Sequence, residues 1–88
     1  MILEWGEVAQ KIYKTLDENG CGYLVQEMID KYGVGGTPGE MFSIVCYWLA
    51  EMRNKKNPAF DLIKDDAEVL FQIGYEIKYF TRDSLNRV

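Results

Sequence analysis

The chain contains no histidine, and that absence removes more chemistry than any other feature of the sequence. Ser-His-Asp and Cys-His nucleophilic sites, histidine-ligated metals and proton transfer by imidazole are all excluded. Cysteine is scarce as well. Cys21 and Cys46 are the only two, too few for a disulfide framework and spaced unlike a zinc pair, so both read as small apolar residues. Long apolar runs are missing. Met41 to Ala50 is ten residues interrupted by Ser43, against the ~20 that a membrane-spanning helix requires. Met1 to Gln10 has neither the basic segment nor the apolar stretch of a secretory leader, and the expected location is the cytoplasm. Basic charge is in deficit too: 10 Lys and Arg face 14 Asp and Glu, a net charge of −4. That balance works against nucleic acid and anionic membrane and mildly favours basic partners.

What is present is helical periodicity in a chain long enough for one domain. Thr37 to Arg53 is the most informative stretch. Thr37 suits an N-cap, Pro38 falls where the first turn has no N–H to lose, and Glu40 stands three residues after the cap, the pattern of a capping box. From Met41 to Met52 only Ser43 and Glu51 are clearly polar, so this helix should be surrounded by the others. At about 100° per residue, Ser43, Cys46 and Ala50 form a strip of small side chains against which another helix can pack closely.

Trp5, Val8, Ala9, Ile12, Tyr13 and Leu16 follow an i, i+3, i+4, i+7 pattern, predicting a first helix over 3–18 that Asn19 and Gly20 end. A second helix is expected over 23–32 from Leu24, Val25, Met28, Ile29 and Tyr32. Gly33 then provides a left-handed ending, with Val34 folded over Ile29. The third helix covers 38–54, and Asn57-Pro58 stops it. A helical turn is expected around 58–64, and Asp65, with Glu68 at the N3 position, predicts a fourth helix over 66–82. Residues 81–88 turn polar and should fray. The expected fold is all-α, a small four-helix domain with the apolar 38–54 helix at its centre.

The fourth helix carries two apolar faces. Val69, Leu70, Ile73, Ile77 and Phe80 make the expected core stripe, while Phe71, Tyr75 and Tyr79 recur every four residues on the opposite side. That second stripe is open to three readings: coverage by Phe60, Leu62 and Ile63 or by Ile2 and Leu3, pairing with a second copy of the chain, or contact with a different protein.

Other constellations have simpler readings. Asp61, Asp65, Asp66 and Glu68 could act as a general acid–base pair, but they read as the solvated start of a helix and lack the glycine and alternate spacing of a calcium loop. The Gly33 to Gly39 segment approaches a helix N-terminus as phosphate cradles do, without the Lys-Ser/Thr of a Walker loop or the strand of a dinucleotide site. A helix-turn-helix over the second and third helices would offer Phe42, Ile44, Val45 and Tyr47 to DNA, which reads no bases.

The expectation is therefore a non-enzymatic, bacterial-type protein–protein interaction module. It would be an acidic inhibitor-like, immunity-like or adaptor protein, self-associating as a homodimer or bound to a protein partner. Phe71, Tyr75 and Tyr79 form the contact and Glu68, Gln72 and Glu76 flank it. No catalytic residue, cofactor, metal, nucleic acid or membrane is expected. The alternative is a small-ligand binder or carboxylate-based enzyme. Its pocket would lie between the third and fourth helices, lined by Tyr47, Trp48 and Met52 and gated by an Asp61–Asp66 loop.

Overall fold

The computed structural model describes residues 5–88, and among these the chain is all-α, with no strand. Its elements are α1 (Trp5–Glu18), α2 (Tyr23–Tyr32), α3 (Pro38–Asn54), α4 (Phe60–Glu76) and α5 (Arg82–Asn86). The four long helices pack around one core. α4 lies against α1 and α3, while α2 and α5 cover other sides of α3. The expected residues 3 and 4 of the first helix lie outside the described residues.

α3 has the boundaries its sequence predicts, for the predicted reason. Thr37 is extended and its Oγ1 accepts the Glu40 N–H at 3.1 Å, with Pro38 in the first turn. Only this half of the capping box forms. Phe42, Val45, Cys46, Trp48, Leu49, Ala50 and Met52 are all buried, which makes α3 the central post. The small strip works as expected at Cys46, whose Sγ lies 3.9 Å from the Leu70 carbonyl of α4.

Three helices end in the same way. The N–H of Cys21 bonds the Leu16 carbonyl while Gly20 bonds Asp17; Asn57 and Lys56 repeat this on Met52 and Arg53, and Tyr79 and Lys78 on Gly74 and Tyr75. Each is a Schellman ending, with Gly20, Lys56 and Lys78 left-handed at φ 75°, 58° and 61°. α2 ends differently. Gly33 bonds the Ile29 carbonyl, and Val34 is exposed instead of folding over Ile29.

α4 differs most from expectation. It begins at Phe60 and absorbs the 58–64 turn as its own first turns, and it stops at Glu76 instead of 82. The physical reason is at Asn57-Pro58, which starts α4 as well as ending α3. The Asn57 carbonyl accepts from Phe60 N–H, and its Oδ1 accepts from Ala59 N–H at 3.0 Å, as a cap does ahead of a proline-led first turn. Asp65 is therefore mid-helix and caps nothing. With the helix read from Phe60, the core face is Phe60, Ile63, Ala67, Leu70, Phe71 and Gly74. Val69 and Ile77, expected inside, are exposed, and Phe71, expected on the other face, is fully buried.

Residues 81–88 are ordered by specific contacts instead of fraying. Thr81 Oγ1 accepts Ser84 N–H and Ser84 Oγ accepts Thr81 N–H, a complete capping box that starts α5. Leu85 is fully buried, and Asn54 Nδ2 donates to the carbonyls of Leu85 and Val88.

The turn between α4 and α5 places the Phe80 ring directly on Gly74, where a Cβ would lie 2.0 Å from Phe80 Cζ. Gly74→Ala should therefore cost about 1–3 kcal/mol through overpacking, reversing the gain of about 1 kcal/mol that alanine brings to an open helical site. Lys78→Gly should stabilise by about 0.5–1 kcal/mol, since relief of the left-handed Cβ exceeds the added freedom of the unfolded chain. Urea unfolding of the two variants checks both signs.

Candidate functional site

The end of α4, the turn after it and the start of α5 enclose an open hollow of about 720 Å³ against α3. Tyr47 of α3 and Tyr75 of α4 form its walls with Tyr79 of the turn. Phe80 is its floor, and Lys78, Thr81, Arg82 and Ser84 complete the lining. The floor is fixed by aromatic packing. Phe80 stacks on Phe42 at 6.2 Å between centroids and meets Tyr75 edge-on at 5.6 Å and Tyr47 at 6.0 Å. Such pairs add about 0.5–1.5 kcal/mol each beyond area burial.

Tyr79 is 45% exposed, yet its ring meets Phe42 edge-on at 5.7 Å and its hydroxyl lies over Gly39, where a Cβ would come within 2.6 Å of it. The first turn of α3 thus sets one rim of the hollow. The Arg82 guanidinium lies 4.5 Å from the Tyr75 ring centroid, a cation–π contact. The hydroxyls of Thr81 and Ser84 are engaged in the capping box.

The six residues expected to form an interface divide. Tyr75 and Tyr79 both line the hollow, but from different elements, since Tyr79 follows the end of α4. Phe71 belongs to the core, fully buried with the Arg53 guanidinium 5.2 Å from its ring centroid. It cannot be part of a surface stripe. Glu68, Gln72 and Glu76 are exposed on the outer face of α4. At 100° per residue Glu68 stands within 20° of Tyr75 but about two turns nearer the start of α4, and it does not line the hollow. Sequence reasoning missed Tyr47 as a neighbour of these tyrosines, and missed Lys78 and Arg82 altogether. The available signal was Thr81-x-x-Ser84, which marks a new helix start and so a break before it.

A second, smaller hollow of about 240 Å³ lies between α2 and α3. Trp48 and Met52 line it with Leu24 and Met28, so the pocket expected between the third and fourth helices is shared with α2 instead. Tyr47 opens into the other hollow, and the supposed Asp61–Asp66 gate is part of α4. At the rim Glu51 pairs with Lys31 and with Lys55 at 3.1 Å, and accepts from the Tyr32 hydroxyl at 3.3 Å. The Lys31 hydrogen bond, with help from Lys55, holds the Glu51 carboxyl below its ordinary value.

Cys46 is buried and its thiol is pushed far up by desolvation, which removes it as a nucleophile at neutral pH. Among the described residues no three Asp, Glu, Cys or His side chains are grouped to hold a metal ion. Nor is any helix there long and apolar enough to cross a membrane. Comparison with protein families, with curated proteins and with solved structures finds no match for this chain.

Two outcomes follow from this geometry. Phe71→Ala should cost about 3–5 kcal/mol as a core truncation, while Tyr79→Ala, which removes a half-exposed ring packed edge-on against Phe42, should cost less, about 1–2 kcal/mol, measured by urea unfolding. Glu51 contributes stability that is complete above the ordinary carboxylate range and disappears as pH falls through its lowered folded value. The difference in urea midpoint between wild type and Glu51→Gln should accordingly persist near neutrality and close on acidification; a difference independent of pH would contradict the pairing.

Proposed function

We propose that this chain is a non-enzymatic protein-interaction module, an acidic adaptor-like or inhibitor-like domain. Its contact surface is the tyrosine hollow at the α4–α5 turn. The observation that carries this reading is the convergence of Tyr47, Tyr75 and Tyr79 on one open hollow over a fixed Phe80 floor. Tyrosines supply large contact area with few rotatable bonds and keep a polar tip for hydrogen bonding, which is the chemistry of interface hot spots. The floor is held by the core, so a partner meets a preformed surface and little ordering cost opposes binding. Pairing with a second copy through the same face is the homotypic form of this reading.

The test uses the full chain as wild type, Tyr75→Ala and Tyr79→Ala. Absolute mass is measured by light scattering over a dilution series, and proteins retained on the immobilised chain are quantified beside it. The expected result is that a dimer, or a specific retained protein, is lost in both tyrosine variants while the fold survives. Unchanged mass together with an unchanged retained set in both variants would contradict it.

A second reading, a binder of a small organic ligand, is supported by the hollow between α2 and α3. There Leu24, Met28, Trp48 and Met52 stand beside the charged Lys31–Glu51–Lys55 rim. A thermal-shift screen with metabolites should raise the melting temperature by several degrees for a true ligand at saturating concentration. A flat screen would leave the interaction reading alone.

A further inference from the structure

The charge of the tyrosine hollow is opposite to that of the chain. The sequence carries −4 overall, yet the hollow is lined by two cations, Lys78 and Arg82, and by no carboxylate. Four of the ten Lys and Arg pair with acids, Lys11 with Asp66, Lys31 and Lys55 with Glu51, and Arg87 with Asp83. Lys14, Arg53, Lys56 and Lys64 have no ion pair with a described residue, so the lack of a pair does not by itself set the hollow apart. Lys78 and Arg82 have no ion pair with a described residue. Asp83, next to Arg82 in sequence, is held by Arg87 at 2.8 Å, and the exposed Glu76, two residues before Lys78, makes no ion pair with that lysine and does not line the hollow. Arg82 is instead placed by the Tyr75 ring, which leaves its hydrogen-bonding capacity unused by the described residues. Lys78 stands at the left-handed position of a Schellman ending, where glycine would be unstrained. Lys56 shares that conformation, so conformation alone assigns nothing; what distinguishes Lys78 is the aromatic hollow beside it.

We propose that the hollow receives an acidic peptide segment of a partner protein, with one aromatic or aliphatic side chain seated over Phe80 between Tyr47 and Tyr75 and flanking carboxylates on Lys78 and Arg82. This rests on the interaction reading above and names the partner chemistry for the same surface. Charge complementarity selects the occupant. A basic segment would face two unneutralised cations, and a neutral one would leave both without partners while excluding water from them. Nucleic acid is the weaker candidate: two cations neutralise few phosphates, and the remaining surface of an acidic chain repels the others. The arginine supplies the planar carboxylate contact and the lysine a movable point charge.

The probes are three synthetic peptides of one pattern, a central tryptophan flanked on each side by two glutamates, two lysines or two serines, together with oligothymidylate. Each is titrated into the isotope-labelled full chain while amide resonances are followed. The proposal expects the glutamate peptide to bind most tightly. Its shifts should be confined to Tyr47, Tyr75 and residues 78–84, and its affinity should fall with added salt and by about tenfold or more in the Lys78→Gly, Arg82→Gln double variant. Neither substitution removes a packed apolar group, and unchanged spectra elsewhere confirm the fold. Equal or tighter binding of the lysine or serine peptide at the same amides overturns the acidic assignment and leaves the interaction reading standing. Tighter binding of oligothymidylate there overturns it in favour of single strands stacked on the tyrosines. Absence of shifts at these amides with all four probes overturns both the acidic assignment and the choice of this hollow as the contact surface.

Discussion

The seat of Phe80 on Gly74 is the contact on which the far half of this molecule depends. A helix continuing past Glu76 would carry Phe80 about a turn and a half beyond Gly74 and leave that glycine facing an empty site. The chain instead reverses at Lys78, and the ring fills the space that a side chain at 74 would have occupied. Burying a phenylalanine is worth about 1.5–3 kcal/mol, and here the same ring does two further things. It continues the core through Phe42 and it forms the floor between Tyr47 and Tyr75. From that point Thr81 can cap α5 and deliver Leu85 and the terminal carbonyls to Asn54. Core closure and hollow formation are thus one event.

The all-α class, the position of α3 at the centre and the limits of α2 and α3 were legible because their signals are local. Thr37, Pro38 and the apolar run behind them require no knowledge of the rest of the chain. α4 was misread for two physical reasons. Asn57-Pro58 both ends one helix and begins another, and the acidic group at Asp65 to Glu68 offered a competing start. At the other end the left-handed residue is Lys78 where glycine is the usual marker, so the Schellman stop was invisible until its hydrogen bonds were placed. Starting late leaves Phe60, Ile63 and Ala67 out of the core face and stopping late adds Ile77 to it, so the pattern puts Phe71 outside though it is buried, and Val69 and Ile77 inside though they are exposed. Of the expected site, Tyr75 and Tyr79 come together because of the break between them. Continuous periodicity was the wrong reason for a partly correct pairing.

The two hollows show how differently charge can be used on one small chain. At the α2–α3 rim the lysines and Glu51 answer one another, so the surface is electrostatically complete. At the α4–α5 turn two cations and three tyrosines surround a rigid aromatic floor, and no described carboxylate is paired with those cations. The first arrangement holds the Glu51 carboxyl below its ordinary value through the Lys31 hydrogen bond. The second holds its lysine at a positive φ of 61°, where glycine would be unstrained.

The most direct measurement of this account is the nuclear Overhauser pattern around Gly74 and residues 77–81. A ring seated as described gives strong contacts between the Gly74 α-protons and the Phe80 ring, and shifts those α-protons away from their usual position. The i, i+3 helical contacts should then stop at about Ile77 and resume after Thr81. Unbroken helical contacts from Gly74 through Arg82, with no Phe80 signal at Gly74, would contradict it and return Tyr75 and Tyr79 to one helical face.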